Sequence, residues 1–183
     1  MYRFHYEFMM VQFPGCLLLM TDTDSLMYII TGKDVYAVMK QNLHLFDTSD
    51  YPKNHPCFSV ANKKVPGVFK DELNGNILWE YCGIRTKMYS FLYQELDGEL
   101  CEKKVGKGIQ RSALANIRHD KYLQTLRSKT VSYVQFNVIR STHHTLHTVH
   151  ISKVGLSATD EKRYILPDGI TTLPYGHHRL RTL

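Results

Sequence analysis

The chain has 183 residues, the size of one domain or two small subdomains. Hydrophobic residues make up 43% and charged residues 22%, which excludes a wholly disordered chain. No window reaches the roughly 18 uninterrupted apolar residues of a membrane-spanning helix, so no membrane partner is expected. The 23 Lys and Arg residues exceed the 17 Asp and Glu residues by a net charge of +6. That balance suits an anionic partner, nucleic acid first.

The first third of the chain predicts a hairpin followed by a helix. Two apolar runs, residues 16–20 and 26–30, flank a polar stretch with two aspartates. This pattern predicts a buried β-hairpin with carboxylates at its tip. Asp34 then precedes apolar residues at helical spacing, so we expect it to cap a helix that continues to Phe46.

Two dipeptides further along predict tight β-turns. Asn74-Gly75 lies between residues 68–69 and 77–79, and Asp97-Gly98 lies between residues 89–93 and 100–105. Both dipeptides tolerate the positive φ that a tight β-turn requires. Each therefore predicts a hairpin.

The character of the sequence changes after Gly106-Lys107-Gly108. Residues 112–126 have apolar side chains at helical spacing, with a break near His119-Asp120, and residues 131–154 return to strand-forming types. We therefore predict two subdomains, residues 1–108 and 109–183.

The cysteines indicate a reducing compartment. None of the four forms a C-x-x-C pair, which argues against a zinc ribbon or a compact disulfide scaffold. The apolar run of residues 16–20 continues directly into the two aspartates without a small-residue cleavage site, so no secretion signal is predicted. We expect buried, reduced thiols in an intracellular protein.

Asp22 and Asp24 are the first candidates for chemistry. Two like charges at the mouth of an apolar layer are unfavourable unless a cation neutralises them. Mg²⁺ takes one or two carboxylates together with substrate phosphates, so the pair predicts a metal site for phosphoryl or nucleotidyl transfer. The alternative is a solvated acidic turn, because Asp, Thr and Ser are ordinary turn residues. The apolar runs on both sides favour the metal site.

Residues 21–25, Thr-Asp-Thr-Asp-Ser, resemble motif C of family B DNA polymerases. The resemblance implies an α+β fold in which an antiparallel palm sheet with a covering helix precedes a small thumb. It also implies that Asp24 binds the catalytic Mg²⁺ (or Mn²⁺) ions directly and that Asp22 supports the site. Met20 stands where the family has an aromatic residue, a departure that affects packing more than chemistry.

Residues 85–91 resemble the Lys-x-Tyr element that follows motif C in the same family. By that resemblance, Lys87 contacts the phosphates of the primer and Tyr89 stacks or hydrogen-bonds near its growing end. A lysine and a tyrosine two apart on a strand also point to the same face. An ordinary edge strand is the alternative, but the order of the two elements favours the functional interpretation.

Weaker similarities extend over most of the chain. Residues 46–52 and 62–72 resemble segments of protein-primed polymerases from viruses and Polinton-type mobile elements. Residues 103–109 resemble the basic strand between palm and thumb, which implies that duplex phosphates are steered by Lys103, Lys104 and Lys107. The implied partners are primer–template DNA, dNTP in the complete enzyme, and a terminal protein as primer. No residue is assigned to nucleotide binding.

Two parts of the family's machinery have no counterpart before the aspartate pair. In the family, a motif A Asp and a motif B Lys precede motif C, whereas residues 1–21 contain no Asp. The resemblance therefore implies the C-terminal portion of a polymerase. Because two-metal catalysis needs a set of carboxylates around ions about 3.5–4 Å apart, we expect that the chain alone does not extend a primer.

Two other functions remain open from the sequence. A non-enzymatic remnant of a viral or mobile-element polymerase gene would bind duplex DNA electrostatically. A Mg²⁺ nuclease would need further carboxylates, for which Asp71-Glu72 is the best pair. The four histidines of residues 143–150 favour a His-rich surface strand over a metal site. Trp79 and Tyr81 can stack bases, but burial against the predicted helix is favoured.

Overall fold

The computed structural model describes residues 1–95, 97–159 and 163–181. They form short helices and small sheets, which confirms the predicted α+β class. The chain divides into two compact units. Unit 1 comprises residues 1–79 and 92–101, and unit 2 comprises residues 80–91 and 102–183. The boundary predicted after Gly108 therefore falls inside unit 2.

Unit 1 begins with a π-helix, Phe4–Met9, that continues into α1 (Met10–Gln12). A hairpin follows, formed by β1 (Leu17–Asp22) and β2 (Ser25–Ile29). Next come α2 (Val35–Gln41) and a 3₁₀ turn, Leu43–Leu45. Two short strands, β3 (Phe46–Asp47) and β4 (Phe69–Lys70), pair in parallel.

A three-stranded sheet contributes residues to both units. Its strands are β5 (Ile77–Arg85), β6 (Met88–Gln94) and β7 (Leu100–Gly106), in that order. Unit 2 continues with α3 (Arg111–Ala115), α4 (His119–Ser128) and an antiparallel hairpin of β8 (Val131–Thr142) and β9 (Thr145–Ser157). A shorter hairpin, β10 (Arg163–Ile165) and β11 (Thr172–Pro174), precedes a 3₁₀ turn, His178–Arg181.

The aspartate hairpin forms as predicted, but its strands are not buried. Asp22 pairs with Ser25 across β1 and β2, and Thr23 and Asp24 form the turn between them. Leu17 is 60% exposed and Ile29 is 45% exposed. The prediction of a buried hairpin is therefore wrong. Among the described residues, β1 and β2 pair only with each other, so no neighbouring strand extends their sheet.

The helix predicted after Asp34 is confirmed, although it is shorter than expected. The Asp34 carboxylate accepts hydrogen bonds from the backbone N–H groups of Tyr36, at 2.9 Å, and Ala37, at 3.2 Å. Such a cap satisfies donors that a first turn leaves without helical partners. The helix ends at Gln41, because Asn42 leaves the helical conformation with a φ of −125°. Phe46 still reaches the core beside Met39, through the 3₁₀ turn.

Only one of the two predicted turn dipeptides closes a hairpin. Asp97-Gly98 joins β6 and β7, as predicted. Asn74 and Gly75 have the expected positive φ values, 52° and 88°, but β4 pairs with β3 instead of β5. The Asp71 carboxylate explains the difference, because it accepts hydrogen bonds from the backbone N–H groups of Leu73 and Gly75 and so closes a local turn.

The second half of the chain follows its sequence pattern closely. The helix break lies at residues 116–118, between α3 and α4, slightly before the predicted position. The strand-forming region is one long hairpin that turns at His143-His144, whose φ values are 49° and 65°. A tight two-residue turn of this kind needs positive φ at both positions. The predicted His-rich surface strand is confirmed, since residues 143–148 are all exposed.

The four cysteines are free thiols. Cys57 and Cys82 are buried, whereas Cys16 and Cys101 are only half-buried, so the prediction of burial holds for two of them. Burial raises the pKa of the Cys57 and Cys82 thiols. A raised pKa keeps these thiols protonated and unreactive at neutral pH.

The core of unit 2 forms around Tyr122, which has no exposed surface. The buried residues that share its cluster are Cys82, Met88, Ile109 and Leu156. The Tyr122 hydroxyl donates a hydrogen bond to the carbonyl oxygen of Val105 at 3.0 Å. Burial, with smaller contributions from Glu102 and Cys82, raises the pKa of Tyr122 to about 12. The tyrosine therefore joins α4 to the end of β7.

We predict that Tyr122→Phe lowers the free energy of unfolding at pH 7 by about 1–3 kcal/mol, because the Val105 carbonyl loses its donor. The raised folded pKa, about 12, means that the contribution of Tyr122 is intact below about pH 10 and is lost as the pH rises from 10 towards 12. Urea unfolding should therefore show a smaller difference between variant and wild type at pH 11 than at pH 7.

Tyr133→Phe is the matched control, because Tyr133 is 68% exposed. It should change stability little at either pH. Equal losses in the two variants at pH 7, or a difference for Tyr122→Phe that does not shrink at pH 11, would contradict the role assigned to the buried hydroxyl.

Candidate metal hairpin and nucleic-acid interface

The tip of the β1–β2 hairpin brings Asp22 and Asp24 together. Asp22 is the last residue of β1 and is half-buried, whereas Asp24 lies in the turn and is exposed. Thr23 between them has a φ of 58°. The backbone N–H of Asp24 donates to the carbonyl oxygen of Asp22 at 2.7 Å, and the Ser25 hydroxyl donates to the same oxygen at 3.1 Å. The turn, and not an alternating strand, therefore holds the two carboxylates near each other.

The surroundings of the aspartate pair differ from the expected apolar layer. The apolar side chains at the start of β1, Leu17 to Leu19, are exposed, and the apolar residues of β2 are half-buried or exposed. Burial therefore adds little to the unfavourable energy of two neighbouring carboxylates, and attraction of a cation depends on the proximity of their charges. The Thr23 hydroxyl lies 3.4 Å from Asp22 Oδ1, as a donor to that oxygen.

The donor set fits a divalent cation in part. Asp22 and Asp24 supply hard oxygen ligands, the type that Mg²⁺ and Mn²⁺ take, and Mg²⁺ commonly binds through one or two carboxylates plus phosphates of a substrate. Within residues 1–95, 97–159 and 163–181, no three His, Cys, Asp or Glu side chains form a group that can hold a metal. The hairpin thus offers two ligands of a larger set.

Asp71 has a structural role in its loop. Its carboxylate accepts hydrogen bonds from the Tyr51 hydroxyl at 2.8 Å and from the backbone N–H groups of Leu73, at 2.9 Å, and Gly75, at 2.8 Å. Burial and the charge of Asp71 raise the pKa of Tyr51. Because its oxygens already accept three hydrogen bonds, Asp71 is a poor metal ligand, and the nuclease alternative loses its best additional carboxylate.

Lys87 and Tyr89 do not share a strand. Lys87 lies in the two-residue turn between β5 and β6 with a φ of 56°, and Tyr89 follows on β6. The prediction that both point to one face of a strand is therefore wrong. The Tyr89 ring is half-buried and stacks on Phe91, with centroids 6.4 Å apart. Both residues belong to unit 2, whereas the aspartate hairpin belongs to unit 1.

Lys104 is committed to internal contacts. Its ammonium group donates to the carbonyl oxygens of Ala115, at 3.0 Å, and Ile117, at 2.6 Å, and its side chain is only 17% exposed. These carbonyls lie at the end of α3, where the last helical turn lacks backbone donors. Glu102 lies 3.7 Å from the same ammonium group. The geometry favours a structural role for Lys104 over the predicted contact with DNA.

Lys103 and Lys107 remain available to an external ligand. Both are exposed. The Lys103 ammonium group lies 5.8 Å from the centroid of the Phe91 ring, within cation–π range. Lys107 lies in the turn that follows β7.

Charge is distributed unequally between the units. Unit 2 contains 16 of the 23 Lys and Arg residues and 6 of the 17 Asp and Glu residues, a net charge of +10, whereas unit 1 has −4. Between Glu102 and Asp160 the sequence has ten Lys and Arg residues and a single acidic residue, Asp120. The net charge of the whole chain, +6, is thus the sum of an acidic unit and a strongly basic one. A strongly basic surface is typical of proteins that bind nucleic acid.

Sequence reasoning missed a groove of about 350 Å³ in unit 2. It lies between the α3–α4 connection and β8, and its lining includes Arg118, Lys121 and the exposed ring of Tyr133. An exposed aromatic ring beside cationic groups is a surface on which nucleic-acid bases stack. Each of these residues is ordinary in its own helix or strand, so no local pattern signals the groove. Asp120, which also lines it, reduces its positive charge.

Trp79 is exposed, contrary to expectation. Its side chain is 63% accessible, and its indole N–H donates to Gln94 Oε1 at 3.2 Å. The expected burial against α2 is therefore wrong. Tyr81, its partner in the base-stacking alternative, lies across Gly83 instead, where any side chain would meet the tyrosine ring.

No known protein family, curated protein or solved structure matches the chain. In the described part of the chain, no helix is long and apolar enough to cross a membrane.

We predict that one of two neighbouring lysines, Lys104, affects the stability of the fold and that the other, Lys107, affects the binding of DNA. Lys104→Met should lower the free energy of unfolding by about 1–3 kcal/mol, because the carbonyls of Ala115 and Ile117 lose their donor. Lys107→Gln should change it by less than about 0.5 kcal/mol, because the side chain is exposed. In titrations of a fluorescent DNA duplex at several salt concentrations, only Lys107→Gln should reduce the salt dependence. A folded Lys104→Met protein with reduced salt dependence would contradict the structural role.

Proposed function

We propose that the chain is part of a DNA-directed DNA polymerase of the protein-primed family B type, with palm elements around the aspartate hairpin and thumb elements in the basic second half. The observation that carries this proposal is the position of Asp22 and Asp24, which flank Thr23 at the tip of a two-residue hairpin turn. The motif C resemblance requires that placement. The order of the aspartate hairpin and the Lys87–Tyr89 element is also the family's order.

The chemistry assigned to the hairpin is metal binding. Asp24, which is exposed, would be the direct ligand of Mg²⁺, and Asp22 would hold the second position. A cation held by these residues would supply the Lewis acidity that activation of a primer 3′-hydroxyl and departure of pyrophosphate require. Since the described residues supply only two ligands, the remaining carboxylate and the nucleotide-binding lysine would come from a further polypeptide segment.

The chemistry assigned to unit 2 is binding of duplex DNA. A net charge of +10 displaces counterions from the phosphate backbone, so affinity should fall steeply as salt concentration rises. The exposed ammonium groups of Lys103 and Lys107 are suited to phosphate contacts. Lys87 and Tyr89 are assigned to the primer strand by the resemblance, with Lys87 presented on a turn and Tyr89 packed on Phe91.

A second candidate function is DNA binding without catalysis, as a polymerase-derived protein. The charge of unit 2 supports this candidate equally well, and the small number of carboxylates at the hairpin favours it. The two candidates differ in one property of the chain itself. The polymerase proposal requires that the aspartate turn binds a divalent cation, and the second candidate treats it as a solvated acidic turn.

We predict that Mn²⁺ broadens the backbone amide NMR signals of Thr23, Asp24 and Ser25 in the full chain, because a paramagnetic ion bound by the carboxylates lies beside them. Asp24→Asn should abolish that broadening. Asp97→Asn is the matched control, because Asp97 is an exposed aspartate in the β6–β7 turn. Broadening that persists in Asp24→Asn, or that is no stronger at residues 23–25 than at residues 97–99, would favour the second candidate.

We also predict that the purified chain does not extend a primer with four dNTPs and Mg²⁺ or Mn²⁺, because two carboxylates do not complete a two-metal site. As a control, wild type and Asp24→Asn should bind the same primer–template equally well in these samples. Such binding would show that the lack of extension is not caused by a lack of DNA binding. Metal-dependent extension that disappears in Asp24→Asn would show instead that the chain contains a complete catalytic site.

A further inference from the structure

The β8–β9 hairpin is a two-stranded ribbon, and no other strand in the described part of the chain extends it. Its inner end is anchored, because Leu156 is fully buried in the cluster around Tyr122. Its outer end differs, since residues 139–148 are all exposed. A two-stranded ribbon alone is only marginally stable in water, so the buried inner end must hold it. The outer end therefore offers its side chains to an external partner from an anchored base.

Burial alternates along β8 and separates two faces of the ribbon. Phe136 and Val138 are half-buried, whereas Gln135, Asn137 and Ile139 are exposed. Alternate residues of a strand point to the same face. The three exposed residues therefore share one face, and the half-buried ones lie on the other.

The register of the ribbon adds residues of β9 to the exposed face. Residues that are directly opposite in an antiparallel pair share a face. Asn137 is opposite His150, and Ile139 is opposite Thr148. Leu146, two positions before Thr148, lies on the same face by alternation. We call this surface the outer face. It comprises six exposed residues: Gln135, Asn137, Ile139, Leu146, Thr148 and His150.

A hydrogen bond shows directly that two of these side chains converge. His150 Nδ1 and Asn137 Oδ1 lie 2.9 Å apart. Because an amide oxygen only accepts, Nδ1 is the donor, and Nε2 of the neutral ring is an acceptor. The Asn137 amide nitrogen supplies donors. The pair thus combines a donor with an acceptor, which complements the N7 acceptor and N6 donor that adenine presents in the major groove.

The outer face also has an apolar part near the end of the ribbon. Ile139 is 76% exposed and Leu146 is 73% exposed, on neighbouring strands. Thymine presents a methyl group in the major groove, and apolar side chains contact it there. The groove is about 12 Å wide and admits a two-stranded ribbon, whose strands are about 4.8 Å apart. The chemistry and the width of the ribbon both suit base edges in that groove.

The charge of the ribbon favours a polyanion over a second copy of the chain. Residues 121–159 contain no Asp or Glu, and Arg140 and Lys153 of the ribbon are exposed. The surrounding unit has a net charge of +10. A second copy would bring the same positive charge to the ribbon, whereas duplex DNA brings phosphates on both sides of its groove.

We propose that the outer end of the β8–β9 ribbon enters the major groove of duplex DNA, where the outer face contacts base edges. This inference rests on the proposed binding of DNA by unit 2. It adds a preference for particular base sequences to the attraction of phosphates by the unit's charge. Contacts to phosphates position a protein on DNA, and contacts to base edges supply the preference.

The first test is a selection of duplexes from a random-sequence pool by the full wild-type chain, which should enrich a short sequence. Affinity for a selected and an unselected duplex is then measured by fluorescence anisotropy over a range of salt concentrations. Asn137→Ala should weaken binding of the selected duplex about tenfold, because a base contact is lost. It should leave the slope of log affinity against log salt unchanged, because no phosphate contact is lost. Asn54→Ala, at an exposed asparagine of unit 1, is the matched control and should match the wild type.

A second measurement needs no variant of the chain. A bulky substituent at C5 of the pyrimidines lies in the major groove and leaves the phosphates unchanged. Such a substituted duplex should bind the wild type only as well as the unselected duplex does. Circular dichroism confirms that Asn137→Ala is folded.

The outcomes separate this inference from the proposed function. A wild-type chain that binds no duplex would overturn both. A wild type that binds all duplexes equally, or that binds the C5-substituted duplex as well as the selected one, would overturn this inference alone. So would an Asn137→Ala variant that behaves as Asn54→Ala does. Self-association of the wild type that Asn137→Ala abolishes, with DNA binding unchanged, would identify a second copy as the partner of the ribbon and would also overturn this inference.

Discussion

The close contact of Gly106 with α3 and α4 is the constraint on which the basic surface of unit 2 depends. A Cβ atom on Gly106 would lie 2.9 Å from Leu114 Cδ1 and 3.0 Å from Ile109 Cδ1, so both side chains would have to shift, and it would lie 3.5 Å from the Tyr122 hydroxyl. That hydroxyl in turn binds the carbonyl of Val105, the preceding residue. Apolar burial and one hydrogen bond therefore fix the end of β7, and the lysines that follow are held by these contacts. Their own mutual repulsion would separate them.

One acidic residue of unit 2, Glu102, strengthens this arrangement by lying inside it. Glu102, only 10% exposed, pairs with Arg118 at 3.2 Å and lies near Lys104, while Glu80, whose side chain is 47% exposed, faces the buried ring of His119 at 3.4 Å. His119 also shares a hydrogen bond with Ser90 at 2.9 Å. The Glu102 carboxylate, which is used for internal contacts, adds little negative charge to the outer surface. The exposed Lys103 and Lys107 beside it in the sequence consequently keep their effect on an approaching polyanion.

Local sequence patterns predicted the structure where one short segment determines its own backbone. The Asp34 cap, the Asp97-Gly98 turn and the turn at residues 23–24 were predictable for that reason. Asn74-Gly75 predicted a hairpin that does not form. The Asp71 side chain, which lies outside the dipeptide, instead accepts hydrogen bonds from the backbone N–H groups of Leu73 and Gly75. Positions that depend on tertiary contacts were not predictable from spacing. The exposure of β1 depends on what packs on it, and Lys153 lies 45 positions beyond Gly108, which it approaches only in the folded chain.

The exposure of the aspartate hairpin changes the argument for a metal rather than removing it. If the carboxylates were buried, their desolvation would favour a resident cation even without substrate. In an exposed turn, water screens their repulsion, and two oxygen ligands bind Mg²⁺ weakly because the ion retains most of its own water. A third and fourth ligand from nucleotide phosphates would raise that affinity. If the proposed function holds, the site would bind its metal mainly together with a phosphate-bearing substrate, which is the behaviour that nucleotidyl transfer requires.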